Sequence, residues 1–464
     1  MKTHQSTAEN ARASHCPPGE LVALRKQKVL QQSSSVFCAQ MVALAAGVLC
    51  TFLVARLGGA EGKGILYRLQ FVSSIALVML NCGLGPAAVY LFRREAECAE
   101  NKIHADEIAA ILLWPSLLLG CLPLAALELS RLMPRLVPLN GWQSSALLAF
   151  LAVPAYTLVW NLSYLYLATG RIVAYNLLRA SQSCLFALLL LGLWLAGIGG
   201  LRWLTHAWMA AVVLPALFAL LVLAKTVGLW RLPARRLLRR AFDFAWRSHL
   251  GAVVQYLQHR ADVVLILWLL PVRELGIYSL AIGVVELLWY VPQAVSQVLL
   301  PHIADSTEAE ANRMTSAFCR ASVATTALLA LSLAAFGSWA IPRLLPAFTP
   351  AVPILWILLP GSVVASIFKV LASDLNGRGQ PLKTVFPATA ALLFSALGCG
   401  WALPRYGLKG AAAVTSLSYF LNAGLYLVRC ARFPEMDLRS MVLLKASDLA
   451  WYRTLLAGRR RWES

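Results

Sequence analysis

Glu61-Gly62-Lys63-Gly64-Ile65-Leu66-Tyr67 opens one long apolar run, and Glu274-Leu275-Gly276-Ile277-Tyr278 opens another about 210 residues later. Two further pairs follow in the same order. Ala168-Thr169-Gly170-Arg171 matches Leu375-Asn376-Gly377-Arg378, and Gly197-Ile198-Gly199-Gly200 matches Gly407-Leu408-Lys409-Gly410. Glycine punctuates turns everywhere, so no single pair carries weight. Three matches at nearly constant offset argue for two homologous halves.

The solvent of those halves follows from composition. Of 464 residues, 59% are hydrophobic and 13% charged, and the mean hydropathy is +0.68. Soluble domains run near half apolar and a quarter charged. A membrane span needs about 20 apolar residues in a helix, because lipid leaves no other way to satisfy the backbone. By that measure twelve spans are expected, at about 33–57, 66–92, 108–129, 144–168, 172–196 and 204–224, then 248–270, 275–300, 317–336, 351–371, 383–403 and 410–427. Six is an even number, so both halves enter the membrane in the same direction. The fold class is therefore all-α: a polytopic membrane protein of about twelve transmembrane helices in two six-helix lobes, arranged as parallel repeats.

The same reading divides the chain into a cytoplasmic extension at 1–32, an N-lobe at 33–224, a basic linker at 225–247, a C-lobe at 248–428 and a basic amphipathic tail at 429–464. The extension has no signal-type apolar core. With both termini in the cytoplasm, Lys and Arg are about three times as abundant inside as outside. The linker with Arg235, Arg236, Arg239 and Arg240 and the tail ending in Arg459, Arg460 and Arg461 contribute most, and Leu237, Leu238, Phe242 and Phe244 of the linker suit the interface. In the tail, Leu438, Met441, Val442, Leu449, Tyr452 and Leu456 share a face, which suits a helix lying on anionic lipid; a frayed tail without docking stays open. The net charge of +20 is accounted for by these loops, and nucleic acid is not invoked. Ten cysteines are scattered singly with no zinc spacing, so no metal or cofactor is expected.

Ionisable groups inside spans are costly and default to function. Arg179 and Arg260 lie roughly 10 Å and 18 Å from the cytoplasmic ends of spans 5 and 7, too deep for lipid. Both suit a cationic cavity that binds phosphate through the guanidinium fork. Arg68 and Lys369 join that set, with snorkelling at span ends as the plainer alternative. On span 7, a continuous helix would place Gln255, Gln258, His259 and Asp262 on one face and Arg260 nearly opposite. Asp262, Glu286 and His259 are candidates for ion or proton coupling; pairing of Asp262 with Arg179, and packing of Glu286 against a polar neighbour, remain open. Prolines 86, 154, 215, 292 and 360 fall within spans, where each removes a backbone hydrogen bond.

Val54-Ala55-Arg56-Leu57-Gly58-Gly59-Ala60-Glu61-Gly62-Lys63-Gly64, Asn81-Cys82-Gly83-Leu84-Gly85-Pro86-Ala87, Arg260-Ala261-Asp262, Leu275-Gly276-Ile277-Tyr278-Ser279-Leu280-Ala281, Leu300-Pro301 and Tyr406-Gly407-Leu408-Lys409-Gly410-Ala411-Ala412 together resemble the polysaccharide transporter branch, typified by O-antigen flippases, of the multidrug/oligosaccharidyl-lipid/polysaccharide exporter superfamily. The resemblance implies a cationic vestibule between two lobes that moves undecaprenyl-pyrophosphate-linked oligosaccharide across the bacterial inner membrane by alternating access. Coupling to an ion or proton gradient is implied too. So are a polysaccharide polymerase and glycosyltransferases as partners. Twelve spans count against the lipid II flippases, which usually carry two more. A drug exporter of the same superfamily is the nearer rival, although a cavity richer in cations than acids suits cationic cargo poorly. An integral-membrane enzyme of polysaccharide assembly is the rival from another class; no paired carboxylates in a long loop, nucleophile elbow or phosphate loop supports it. A nontransporting scaffold is a third reading.

Overall fold

In the computed structural model, residues 18–96, 105–132, 143–226, 232, 234–304, 307–431 and 441 are described, and among them there is no β-strand. They form α1 (Pro18–Leu80), α2 (Leu84–Ala96), α3 (Ala105–Leu132), α4 (Gln143–Ala168), α5 (Ile172–Leu195), α6 (Leu201–Thr226) and α7 (Arg235–Gln258). The second part comprises α8 (Ala261–Leu269), α9 (Val272–Val285), α10 (Tyr290–Ala304), α11 (Glu308–Leu344), α12 (Ala351–Gly377) and α13 (Val385–Cys430).

Nine helical stretches among the described residues are long and apolar enough to cross a membrane. Two of them hold two crossings each, because Gly59 (φ 63°) interrupts α1 and Gly407 (φ 58°) interrupts α13. The broken pair α7–α8 supplies one more, which gives the twelve expected. Side chains such as Leu118, Leu188, Phe218, Leu331 and Leu397 are exposed on the outside of the bundle. Water would penalise that surface, and acyl chains do not.

Each half has its own packed interior. In the first, one cluster gathers Leu112, Leu158 and Ala219, and another Leu53, Ala152, Leu190 and Trp208. In the second, Val370, Leu371 and Tyr426 anchor one cluster, and Tyr278, Leu355 and Ala411 the other. The latter also takes in Ala55, Ala60 and Phe71, so it ties the halves together.

The glycine repeats acquire a physical reason. Gly197 (φ 67°) joins spans 5 and 6, and its partner Gly407 (φ 58°) joins spans 11 and 12; both occupy the left-handed region that a Cβ disfavours. Gly64 and Gly276 meet each other. A Cβ on Gly64 would overlap the Val272 carbonyl, and one on Gly276 the Ala60 carbonyl. The two halves are thus backbone to backbone at this end of the bundle, where Arg56 Nη1 also donates to the Leu344 carbonyl at 3.3 Å. The middle pair is less symmetric, for the left-handed residue after α12 is Gly379 and not the aligned Gly377.

Two prolines coincide with interruptions. Asn81-Cys82-Gly83 breaks span 2 just before Pro86, with Cys82 at φ 49°. Glu286–Trp289 winds as a 3-10 turn just before Pro292, whose missing N–H leaves the Leu288 carbonyl without its α-helical donor. Pro154, Pro215 and Pro360 lie within continuous helices.

The expected linker is helical from Arg235 and runs without a break into span 7. Its Leu237 and Ala241 pack into the first half's core, while Phe242 is exposed. Of the expected extension, residues 18–32 continue the helix of span 1, and residues 1–17 lie outside the described residues. Of the tail, residues 429–431 finish α13, and Met441 is buried in the cluster with Tyr426 and Cys430; the rest lies outside the described residues.

Candidate functional site

Just inside the Gly64–Gly276 contact lies a chamber of about 350 Å³. Spans 1, 2, 4 and 5 supply most of its wall, and Arg260 from the second half completes it. Lys63, Tyr67, Gln70 and Ser74 follow one another at helical spacing on span 2, so one face of that helix is polar and turned inward. Across from it, Tyr156 Oη accepts hydrogen bonds from Gln182 Nε2 at 2.6 Å and Trp208 Nε1 at 3.2 Å. Ser74 Oγ and Tyr256 Oη, 2.8 Å apart, bridge the halves.

Arg260 reaches this wall because span 7 is not one helix. α7 ends at Gln258, the Arg260 N–H donates to the Leu257 carbonyl, and α8 restarts at Ala261. A face count that assumes a continuous helix therefore fails at this point. Gln258 and Asp262 are buried in the second half, Gln255 is exposed, and Arg260 lines the chamber. Its Nη1 lies 2.6 Å from Glu286 Oε1 and donates to Tyr67 Oη at 3.4 Å, so it touches both halves.

The other expected cations take different positions. Lys369 holds its Nζ 4.3 Å from the centre of the Trp289 ring. Trp289 and Glu286 are three residues apart on one helical face, so Arg260 and Lys369 flank the same carboxylate. Arg179 is exposed and lies 4.0 Å over Trp160. Trp160 and Arg179 are one turn along from the chamber-lining Tyr156 and Gln182, on the same helix faces, so they continue the wall toward the opposite end of the bundle. Arg68 is half-buried, points about 100° away from Tyr67, and does not line the chamber.

The three candidate coupling residues come together. His259, Asp262 and Glu286 all line a second pocket of about 10 Å³, room for about one water or bare ion. Asp262 is fully satisfied there: Tyr278 Oη donates at 2.6 Å, Thr415 Oγ1 at 2.8 Å and the Val263 N–H at 2.7 Å. Its partners are two hydroxyls and a backbone N–H, and not Arg179. His259 packs among Trp289, Phe368 and Tyr419, with ring centres 4.9–5.9 Å away. No cluster of three or more metal-binding side chains occurs among the described residues.

Lys63, Tyr67, Gln70 and Gln182 are chamber residues that the sequence reading passed over. The signal was present, since 63, 67, 70 and 74 form a polar stripe at helical period within an apolar span.

A family model described as "Polysaccharide biosynthesis protein" matches residues 187–346. No curated protein sequence matches the chain. Among solved structures, the lipid II flippase MurJ in an inward closed conformation superposes with a TM-score of 0.64 at 15% identity, over 93% of this chain and 94% of that one. An inward-facing multidrug resistance MATE family transporter of the MOP superfamily gives 0.60 at 14% identity, over 86% and 98%. A eukaryotic MATE transporter gives 0.59 at 14%, over 90% and 98%. The likeness to a lipid II flippase is thus one of fold. The chain shares its overall fold with these transporters, and the polysaccharide biosynthesis family model covers the stretch from span 5 to the end of span 9.

Proposed function

We propose that the protein flips an undecaprenyl-pyrophosphate-linked oligosaccharide, the repeat unit of a polysaccharide, across the bacterial inner membrane by alternating access, with both termini in the cytoplasm. The observation that carries this reading is Arg260, a guanidinium set in the wall of a polar chamber between two halves that close against each other at one end. On this reading the closed end faces outward, and the headgroup enters from the cytoplasmic side past Arg179 on Trp160. A polymerase and glycosyltransferases would act after and before the flip, and anionic lipid would hold the basic segments.

The ion pair offers a coupling step. Glu286 and an incoming diphosphate compete for the same guanidinium fork, so substrate displaces the carboxylate from Arg260. A freed carboxylate in the pocket with His259 and Asp262 then takes up a proton or cation. Lys369, on the other side of Glu286, keeps the region cationic meanwhile.

The test is reconstitution of the protein in vesicles with a fluorescent polyprenyl-diphosphate oligosaccharide, following its exposure to a membrane-impermeant quencher. Arg260→Ala should slow translocation by about 10- to 100-fold, the worth of a charge-assisted hydrogen bond. Wild-type rates in that variant would overturn the assignment.

A further inference from the structure

Lys63 is 7% exposed and lines the chamber, and among the described residues it makes no hydrogen bond or ion pair. An ammonium group taken out of water without a counter-charge is costly, and such groups are kept where a ligand supplies the missing charge. Arg260, the other cation of the wall, is already matched by Glu286. The chamber's uncompensated positive charge therefore sits at Lys63, against the closed end. The same chamber is lined by Gln70, Tyr156, Gln182 and Ser183, amides and hydroxyls of the kind that pair with sugar hydroxyls, and by Tyr67 and Phe71.

We infer that the Lys63 end of the chamber is a second anion subsite, which takes an oxyanion borne on a sugar-sized, hydroxyl-rich headgroup. The oxyanion is either the carboxylate of an acidic sugar or a phosphate. Lysine is a compact point charge with three donors and accepts either one. The occupant is part of the carried headgroup, so the subsite presupposes the proposed transport. Lys63 adjoins Gly64 in the chain, which puts the bound charge one residue from the contact that shuts this end.

The purified full-length protein in lipid nanodiscs is titrated with glucuronate, glucose and inorganic pyrophosphate, for wild type, Lys63→Met and Lys63→Arg. Wild type should bind an anion and discriminate against glucose; Lys63→Met should weaken that anion about 10- to 100-fold, and Lys63→Arg should retain it. A loss confined to glucuronate identifies an acidic sugar, and one confined to pyrophosphate identifies a phosphate. Unchanged anion binding in Lys63→Met, or no anion binding by wild type, overturns the subsite. If the subsite fails while translocation still depends on Arg260, the transport reading stands. If the labelled lipid does not move in wild type, the transport reading falls whatever the titrations give.

Discussion

The two halves share a fold but handle charge in opposite ways. In the second half several charged side chains are matched within the protein. Arg260 pairs with Glu286, Arg378 bonds to Asp374 at 2.9 Å and to Asn312 at 2.6 Å, and Asp262 accepts three hydrogen bonds. In the first half Lys63 faces the chamber alone, and Arg179 rests on an indole ring. The repeat sharpens the contrast: Arg171, aligned with Arg378, is exposed, whereas Arg378 closes a network around an Asp374 carboxylate that is 0% exposed. A cation with an internal partner meets cargo only by exchanging that partner, as proposed for Arg260 and Glu286. A half with free cations requires something from outside to complete it.

The largest effect is expected where the halves touch. Gly276→Val cannot pack against the Ala60 carbonyl, so it should prop that end open and cut translocation by about 100-fold or more. Native Cys50, which lines the chamber, is the probe. A membrane-impermeant thiol reagent added from outside should label it in Gly276→Val but not in the unaltered protein, with Cys50→Ser as the control. Equal labelling in both would mean that Gly276 does not close the chamber. Next, Arg378→Ala strands a buried carboxylate and should destabilise the protein by about 3–5 kcal/mol, while Arg171→Ala should leave the melting temperature nearly unchanged. Equal losses in the two variants would erase the asymmetry between the halves. The smallest effect is Arg179→Ala. Loss of a cation–π contact worth about 0.5–1 kcal/mol should slow translocation roughly two- to fivefold, with a matching change in Trp160 emission.

Most of the fold was legible because lipid imposes a simple rule on length and polarity. Twelve apolar runs and three glycine pairs gave two halves, and Gly64 with Gly276 proved to mark where they meet. What escaped was local. The turn at His259-Arg260 cannot be seen in hydropathy, and it reverses which side of span 7 faces the chamber. Lys63 was passed over because it stands next to a glycine-rich turn and reads as a loop residue; only its period with Tyr67 and Gln70 places it on an inward face. The meeting of Asp262 with Tyr278 and Thr415 spans 153 residues of chain, and no spacing rule reaches that far.

The four tightly wound residues from Glu286 to Trp289 have a mechanical side. A 3-10 turn advances about 120° per residue and an α-helix about 100°, so relaxing four residues would rotate the two ends of span 8 by about 80° and shorten it by about 2 Å. That screw motion turns the acid relative to the ring that carries Lys369, and Pro292 opposes it by offering the Leu288 carbonyl no α-helical donor. On the proposed mechanism, the segment would act as a swivel beside the Arg260–Glu286 pair that substrate opens.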